Sequence, residues 1–387
     1  MKLPTPPPRI LPLIVLSQFA GTSLWFAGNA ILPDLQTDLG LPADAVGKVT
    51  SAVQLGFILG TLVFAFFTLA DRYSPSRIFW GCAWLGALAN AGMFVAEGLT
   101  GLLLFRFLTG FFLAGIYPIG MKLASDWFAG KLSHALGWLV GALVLGTAFP
   151  HGLRALTAGL PWQGVVLGTS VVAALGGLAI GLGVGDGPHR KAAKRFNPRL
   201  LFSLFRERGF RAAAFGYFGH MWELYTFWAF VPWLLTQLSI VDTANSAWSF
   251  VIIGIGSVGC IVGGYVALKR GSARVAAAML VLSGLGCLLA PWLGQLPTAA
   301  GVGLLLVWGF AVVGDSPQFS TLAAQTAPAE SVGTALTLMN SLGFALTIVS
   351  LNVLTWMQLH APNYAFWVLL PGPLLGLLAL RPLLRRG

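Results

Sequence analysis

Charge is what this sequence has least of. Asp, Glu, Lys and Arg make up 9% of its 387 residues, against roughly 25% in an ordinary soluble domain, so a water-facing globular surface cannot be built from it. Acids are scarcer than bases, 12 against 23, which leaves a net charge of +11. Cysteine is nearly missing. Cys82, Cys260 and Cys287 each lie inside an apolar run without metal-ligand spacing, so they read as small core hydrophobes and say nothing about redox compartment. No phosphate-cradling Gly-Lys-Ser or Gly-Lys-Thr occurs, which argues against direct coupling to ATP. What the chain has in abundance is apolar sequence: 57% hydrophobic residues and a mean hydropathy of +0.81. It is an integral membrane protein, and its lipid bilayer is its first partner.

Long polar intervals are also lacking, with one exception. From Gly185 to Arg211 the chain carries Arg190, Lys191, Lys194, Arg195, Arg199, Arg206, Arg208 and Arg211 against a single acid, Glu207. Six apolar runs precede this segment: Ile10 to Pro33, Val46 to Ala70, Ile78 to Ala96, Leu99 to Ala124, Ala135 to Leu156 and Trp162 to Val184. Six more follow: Phe210 to Gln237, Ala244 to Leu268, Val275 to Leu293, Thr298 to Thr321, Val332 to Met357 and Tyr364 to Leu380. Most are long enough to cross roughly 30 Å of hydrocarbon, and the first is read as a span rather than a cleaved signal because it has a counterpart in the second half. With both termini in the cytoplasm, the inside segments collect 19 of the 23 Lys and Arg residues, and the expected location is the cytoplasmic membrane, crossed many times. The positive-inside rule thus accounts for the basic excess, and no nucleic-acid partner is expected.

The halves repeat at a shift of about 199 residues. Gly110, Gly115, Pro118, Leu123 and Ala124 match Gly309, Gly314, Pro317, Leu322 and Ala323, and Phe19, Ala30 and Pro33 match Phe218, Ala229 and Pro232. A near-constant shift through several spans implies a parallel duplication of a six-helix unit. The expected division is a first bundle over 1–184, a basic linker over 185–209 and a second bundle over 210–387.

The loop after the second run, Leu69-Ala70-Asp71-Arg72 followed by Arg77, together with Arg106-x-x-x-Gly110 in the fourth, resembles the major facilitator superfamily. The second-half copy, Gly264-Tyr-Val-Ala-Leu268-Lys269-Arg270-Gly271, keeps the glycines and loses the acid. The resemblance implies an all-α integral membrane fold of twelve transmembrane helices in two pseudo-symmetric six-helix bundles around a central cavity that opens alternately to either side. It implies a gating role for Asp71, Arg72 and Arg77. Read physically, Asp71 ends the second span, where a carboxylate can meet helix N-terminal dipoles and arginines of the opposite bundle.

Ionisable groups held in a membrane mark function, because burying them costs free energy that a structural helix avoids. His220 and Glu223 in the seventh span stand three apart and share a helix face, and Asp315 in the tenth lies beside Pro317. These three are the candidate proton-coupling groups. Arg106, Gln18, Asn29, Gln54, Tyr225, Gln318 and Asn340 are the candidates to line a substrate cavity, which Trp25 and Trp228 flank. Lys122 is expected to reach the interface. Pairs of glycines four apart (56/60, 137/141 and 259/263) are read as close helix packing.

The composite expectation is a secondary active transporter, not an enzyme, that moves a small polar or organic solute by alternating access. Desolvation disfavours a charged carboxylate, so such a group can load and release a coupling proton. Alternatives are a uniporter or anion exchanger that uses Arg106, a drug efflux antiporter, and, remotely, an intramembrane enzyme with His220 and Glu223 as metal ligands or acid and base. No cofactor and no bound metal are expected, and a functional monomer is.

Overall fold

The computed structural model describes residues 6–128, 132–157, 160–190, 203–328 and 332–385, leaving aside the side chains of Asp71 and residues 132–134. Helices follow one another throughout, and no strand occurs among the described residues. Span one runs as Ile10–Thr22, breaks, and resumes as Ala27–Ala30 and Leu32–Leu39. The next five are Ala45–Phe66, Pro75–Val95, Gly98–Trp127, Ala135–Leu156 and Gln163–Gly183. Span seven is Arg208–Thr236. It is followed by Asp242–Arg270, Ser272–Gln295, Thr298–Thr326, Val332–His360 and Pro362–Leu384. Ten of these helices are long and apolar enough to cross a membrane, and Ile10–Thr22 is a shorter apolar helix. Span seven has the length; its basic start, His220 and Glu223 lower its hydropathy.

The chain alternates direction, so both termini lie at one face, here called the terminal face, and Leu39, Val95, Leu156 and His360 lie toward the far face. Bases at the far face are paired: Lys48 Nζ stands 2.7 Å from Asp44 Oδ2, and Arg154 Nη2 stands 2.9 Å from Asp34 Oδ1.

Spans four and ten break at corresponding places. The helix stops at Leu113 and restarts at Tyr117 before Pro118; it stops at Gly314 and restarts at Ser316 before Pro317. Proline supplies no N–H to the preceding turn and crowds it, which ends the ladder there. The packing repeats as well. A Cβ at Gly60 would overlap the Phe111 carbonyl, and one at Gly259 the Phe310 carbonyl; Gly110 meets the Val53 carbonyl as Gly309 meets that of Ile252. Each partner is displaced by 199, so the duplication read from the sequence is also a duplication of helix contacts. Of the three glycine pairs, 56/60 and 259/263 make such close approaches. Gly137 faces open space, so the pair 137/141 does not.

Spans one to six pack among themselves, chiefly two on four and three on six, and spans seven to twelve likewise, chiefly seven on twelve and eight on ten. Spans five and eight, and two and eleven, join the two bundles. The joining contacts run from mid-span, where Gly141 lies against Ser257 and Ile261, to the far face. Asn352 Nδ2 donates to Ser51 Oγ at 3.1 Å, Gly47 fits against Thr355, and Gly152 against Phe250. Leucine, phenylalanine and tryptophan side chains cover the outer surface, as hydrocarbon-facing helices require.

Candidate functional site

Glu223 is 1% exposed, and its carboxylate is held by three donors. Trp308 Nε1–H donates to Oε1 at 2.6 Å, Ser283 O–H to Oε2 at 2.9 Å, and the Cys287 thiol to Oε1 at 3.3 Å. All three lie on spans nine and ten, so the side chain points into the second bundle. No Lys or Arg pairs with it among the described residues. Cys287, which reads as a bland core residue in the sequence, is therefore part of the carboxylate's shell.

His220, one turn earlier, faces differently. Its Nδ1 stands 2.8 Å from Asp315 Oδ1, with both side chains 1% exposed. Asp315 sits at the break in span ten, where its carbonyl accepts from the N–H groups of Gln318 and Phe319. The break places a short acidic side chain opposite span seven. Tyr217 and Phe319 flank the imidazole, with ring centroids 5.7 and 6.1 Å away.

Arg106 is fully buried in the first bundle and meets no carboxylate among the described residues. Its Nη1 donates to the Leu24 carbonyl at 3.1 Å and to Asn90 Oδ1 at 3.3 Å, and its Nη2 donates to the Trp25 carbonyl. The break after Thr22 takes the chain out of regular helix at these two residues, and the guanidinium fork receives their carbonyls. Nε has no acceptor. Asn90 is anchored in turn by donating to Thr169 Oγ1 at 3.1 Å and Ser170 Oγ at 3.0 Å.

Six aromatic rings from both bundles meet at the interface. Trp25 packs on Phe57, Tyr225 and Phe344 at centroid distances of 4.8, 5.5 and 5.7 Å, and Phe26 lies edge-on to Trp228 at 6.2 Å. The indole N–H groups of Trp25 and Trp228 have no acceptor, and both amide atoms of Gln54 and of Gln18 are also unpartnered. Asn29 Nδ2 donates to Thr50 Oγ1 at 2.7 Å. Gln18 tucks against Gly120 inside the first bundle, buried Gln318 has its amide near Gly263, and Asn340 is half-buried. A separate cavity of about 380 Å³, lined by Trp233, Trp292, Tyr364, Phe366 and Trp367, opens toward the far face of the second bundle.

A profile of the Major Facilitator Superfamily matches residues 14–351. The chain belongs to that family. Among curated relatives, the niacin transporter NiaP of Acinetobacter baylyi is 35% identical over 172 residues, 38% of this chain and 39% of that protein. The uncharacterized transporter YgaY of Escherichia coli O157:H7 is 30% identical over 205 residues, 50% and 49% of the two chains. The chain thus spans half or less of the length of these relatives. Among solved structures, an inward-facing, unoccupied bacterial homologue of the human lysosomal transporter Spinster superposes with a TM-score of 0.72 at 14% identity, covering 97% of both chains. The human organic anion transporter MFSD10 gives 0.70 at 16% identity, over 97% of this chain and 100% of its own.

The family-like loop after span two is arranged around a residue the sequence reading passed over. Asp186, just past span six, accepts from Ser74 O–H at 2.8 Å, Ser76 O–H at 3.1 Å and Ser76 N–H at 3.2 Å, at the N-terminus of span three. Arg190 donates to Asp186 Oδ2 at 3.1 Å and to the Tyr73 carbonyl at 2.7 Å. Arg72 and Arg77 are exposed, and the Asp71 side chain lies outside the described residues, as do Lys191, Lys194, Arg195 and Arg199. Lys122 stands 3.9 Å from Asp126 Oδ1. Also passed over were Asn90, Ser283, Cys287 and Trp308. A signal existed for Trp308 alone, as an indole two turns before Asp315 in a run whose one other aromatic is Phe310.

Proposed function

We propose that this transporter moves a small organic solute by alternating access and couples that movement to protons through Glu223, with His220 and Asp315 tuning it. The observation that carries the reading is the pair of buried carboxylates on spans seven and ten, neither held by Lys or Arg among the described residues. One has three neutral donors and the other has a histidine. A carboxylate with no fixed cation can change protonation as its surroundings change during the cycle, and an intramembrane ionisable residue is a functional candidate by default.

The direction of the machine follows from charge. The terminal face carries the basic segments, so it is the cytoplasmic face, and the cross-bundle contacts near the far face give a state closed to the outside. The first bundle would end at residue 184 and the second begin at 210, with a monomer as the working unit. An anion exchanger built on Arg106 is the second reading. Its favouring observation is a buried cation without a carboxylate, although both Nη atoms already serve carbonyls and Asn90. The name of the niacin transporter supports an organic acid as cargo in either case.

Proteoliposomes containing a pH-sensitive dye test the coupling, with niacin as the first solute. The wild type should carry protons with the solute, and Glu223→Gln should abolish that flux while solute counterflow continues. Glutamine fits the site, since its oxygen can accept from Trp308 and the Ser283 hydroxyl can rotate to accept its amide. Full proton flux in Glu223→Gln would remove Glu223 from the mechanism.

A further inference from the structure

The six-ring cluster between the bundles is more polar than a seal requires. Trp25, Phe26 and Phe57 come from the first bundle, and Tyr225, Trp228 and Phe344 from the second; all are at most 3% exposed. A plug made to exclude water would be built best from rings without polar atoms, because a buried donor without an acceptor is costly. This cluster instead holds two indole N–H groups, one on each bundle, both without an acceptor, and the Gln54 amide on the helix that carries Phe57 is unpartnered as well. Buried polar atoms left unpaired call for a further partner.

Charge near the cluster is one-sided. Arg106 is bonded to the carbonyl of Trp25 itself, and its Nε is unpartnered. The nearest acid in sequence, Glu223, is two residues before Tyr225 but is turned toward Ser283, Cys287 and Trp308. Of the other buried ionisable groups, His220 and Asp315 face each other, and His151, on span five beside span one, adds no negative charge. The cluster therefore combines flat apolar walls, two donors on opposite bundles and a positive potential.

From these features we infer that the cluster is the recognition site for a planar aromatic carboxylate. Its ring would insert among the aromatic walls as the bundles separate, and its carboxylate would accept from the Trp25 and Trp228 indoles. Stacking selects planarity, and the two donors with Arg106 select an anion. The inference rests on the transport reading, and it names the class of cargo and the residues that read it.

Isothermal titration calorimetry on the purified full-length protein tests it, with benzoate and nicotinate as planar acids, cyclohexanecarboxylate as a non-planar acid and benzamide as a neutral ring. Benzoate and nicotinate should bind at least tenfold more tightly than the other two. Trp25→Phe and Trp228→Phe should each weaken benzoate at least tenfold while thermal unfolding shows the protein folded. Equal affinity for cyclohexanecarboxylate, no binding of either planar acid, or wild-type affinity in both folded variants would overturn the assignment. If neither variant folds, the wild-type ligand series still decides. Planar acids that bind without driving proton flux would leave this site standing and remove proton coupling. Proton flux with another solute and no planar-acid binding would do the reverse.

Discussion

His220 Nδ1 and Asp315 Oδ1 approach to 2.8 Å across spans seven and ten, in a region where each side chain is 1% exposed. Span seven is continuous at this depth, and span ten is broken there, so the pair ties a rigid helix to a hinge-like one. Glu223, a single turn further along span seven, belongs to a different set of partners.

The pair should therefore behave as a unit in unfolding. Asp315→Asn or His220→Gln alone leaves a buried partner unmatched and should cost about 2 to 4 kcal/mol, in line with breaking other buried pairs. The double variant should cost clearly less than the two singles combined. Thermal unfolding in detergent gives the cycle, and strict additivity would show that the two groups are close without interacting.

Arg106 should prove structural before it proves anything else. Arg106→Met removes the donors to the Leu24 and Trp25 carbonyls and to Asn90, and a loss of about 3 kcal/mol or more is expected from three unpaired buried groups. Folded yield by size-exclusion chromatography should fall accordingly. A well-folded Arg106→Met that only loses solute binding would make Arg106 a binding residue rather than a structural one.

The duplicated glycine contacts give a symmetric prediction. Gly60→Ala and Gly259→Ala drive a methyl into the Phe111 and Phe310 carbonyls, respectively, and should each destabilise the protein by about 1 to 3 kcal/mol. Gly137→Ala and Gly264→Ala meet open space and should be neutral or stabilise by up to about 1 kcal/mol through helix propensity. A similar loss at all four positions would contradict the contact pattern.

Closure near the far face can be trapped chemically. A Ser51→Cys/Asn352→Cys double variant places two thiols where a 3.1 Å hydrogen bond now joins the bundles. Oxidation should form the cross-link and stop uptake, and reduction should restore it. Uptake that continues at full rate with the cross-link complete would mean that these helix ends need not separate.

Orientation is testable by fusion. Reporters after Arg195 and at the C-terminus should be active only in the cytoplasm, and one placed between Asp34 and Asp44 only outside. A periplasmic signal after Arg195 would reverse the assignment of faces.

The twelve spans, their alternating direction and the duplication were legible in the sequence because hydrocarbon thickness sets a run length and an internal copy preserves its Gly and Pro positions at one shift. The candidates Glu223, His220, Asp315 and Arg106 were legible too, since an ionisable residue stands out in an apolar run. Their partners were not. Helical periodicity placed His220 and Glu223 on one face, but that face is wide enough for one to meet Asp315 and the other Ser283, Cys287 and Trp308. Nor could spacing show that Arg106 would serve the carbonyls of a broken first helix, or that Asp186 would dock at the start of span three from more than a hundred residues away. Residue order alone dictates which groups must be buried, because the solvent is lipid. Which of them meet was decided by tertiary packing alone, since a side chain of a few ångströms finds its partner only after helix rotation and the breaks at Thr22, Leu113 and Gly314 are fixed.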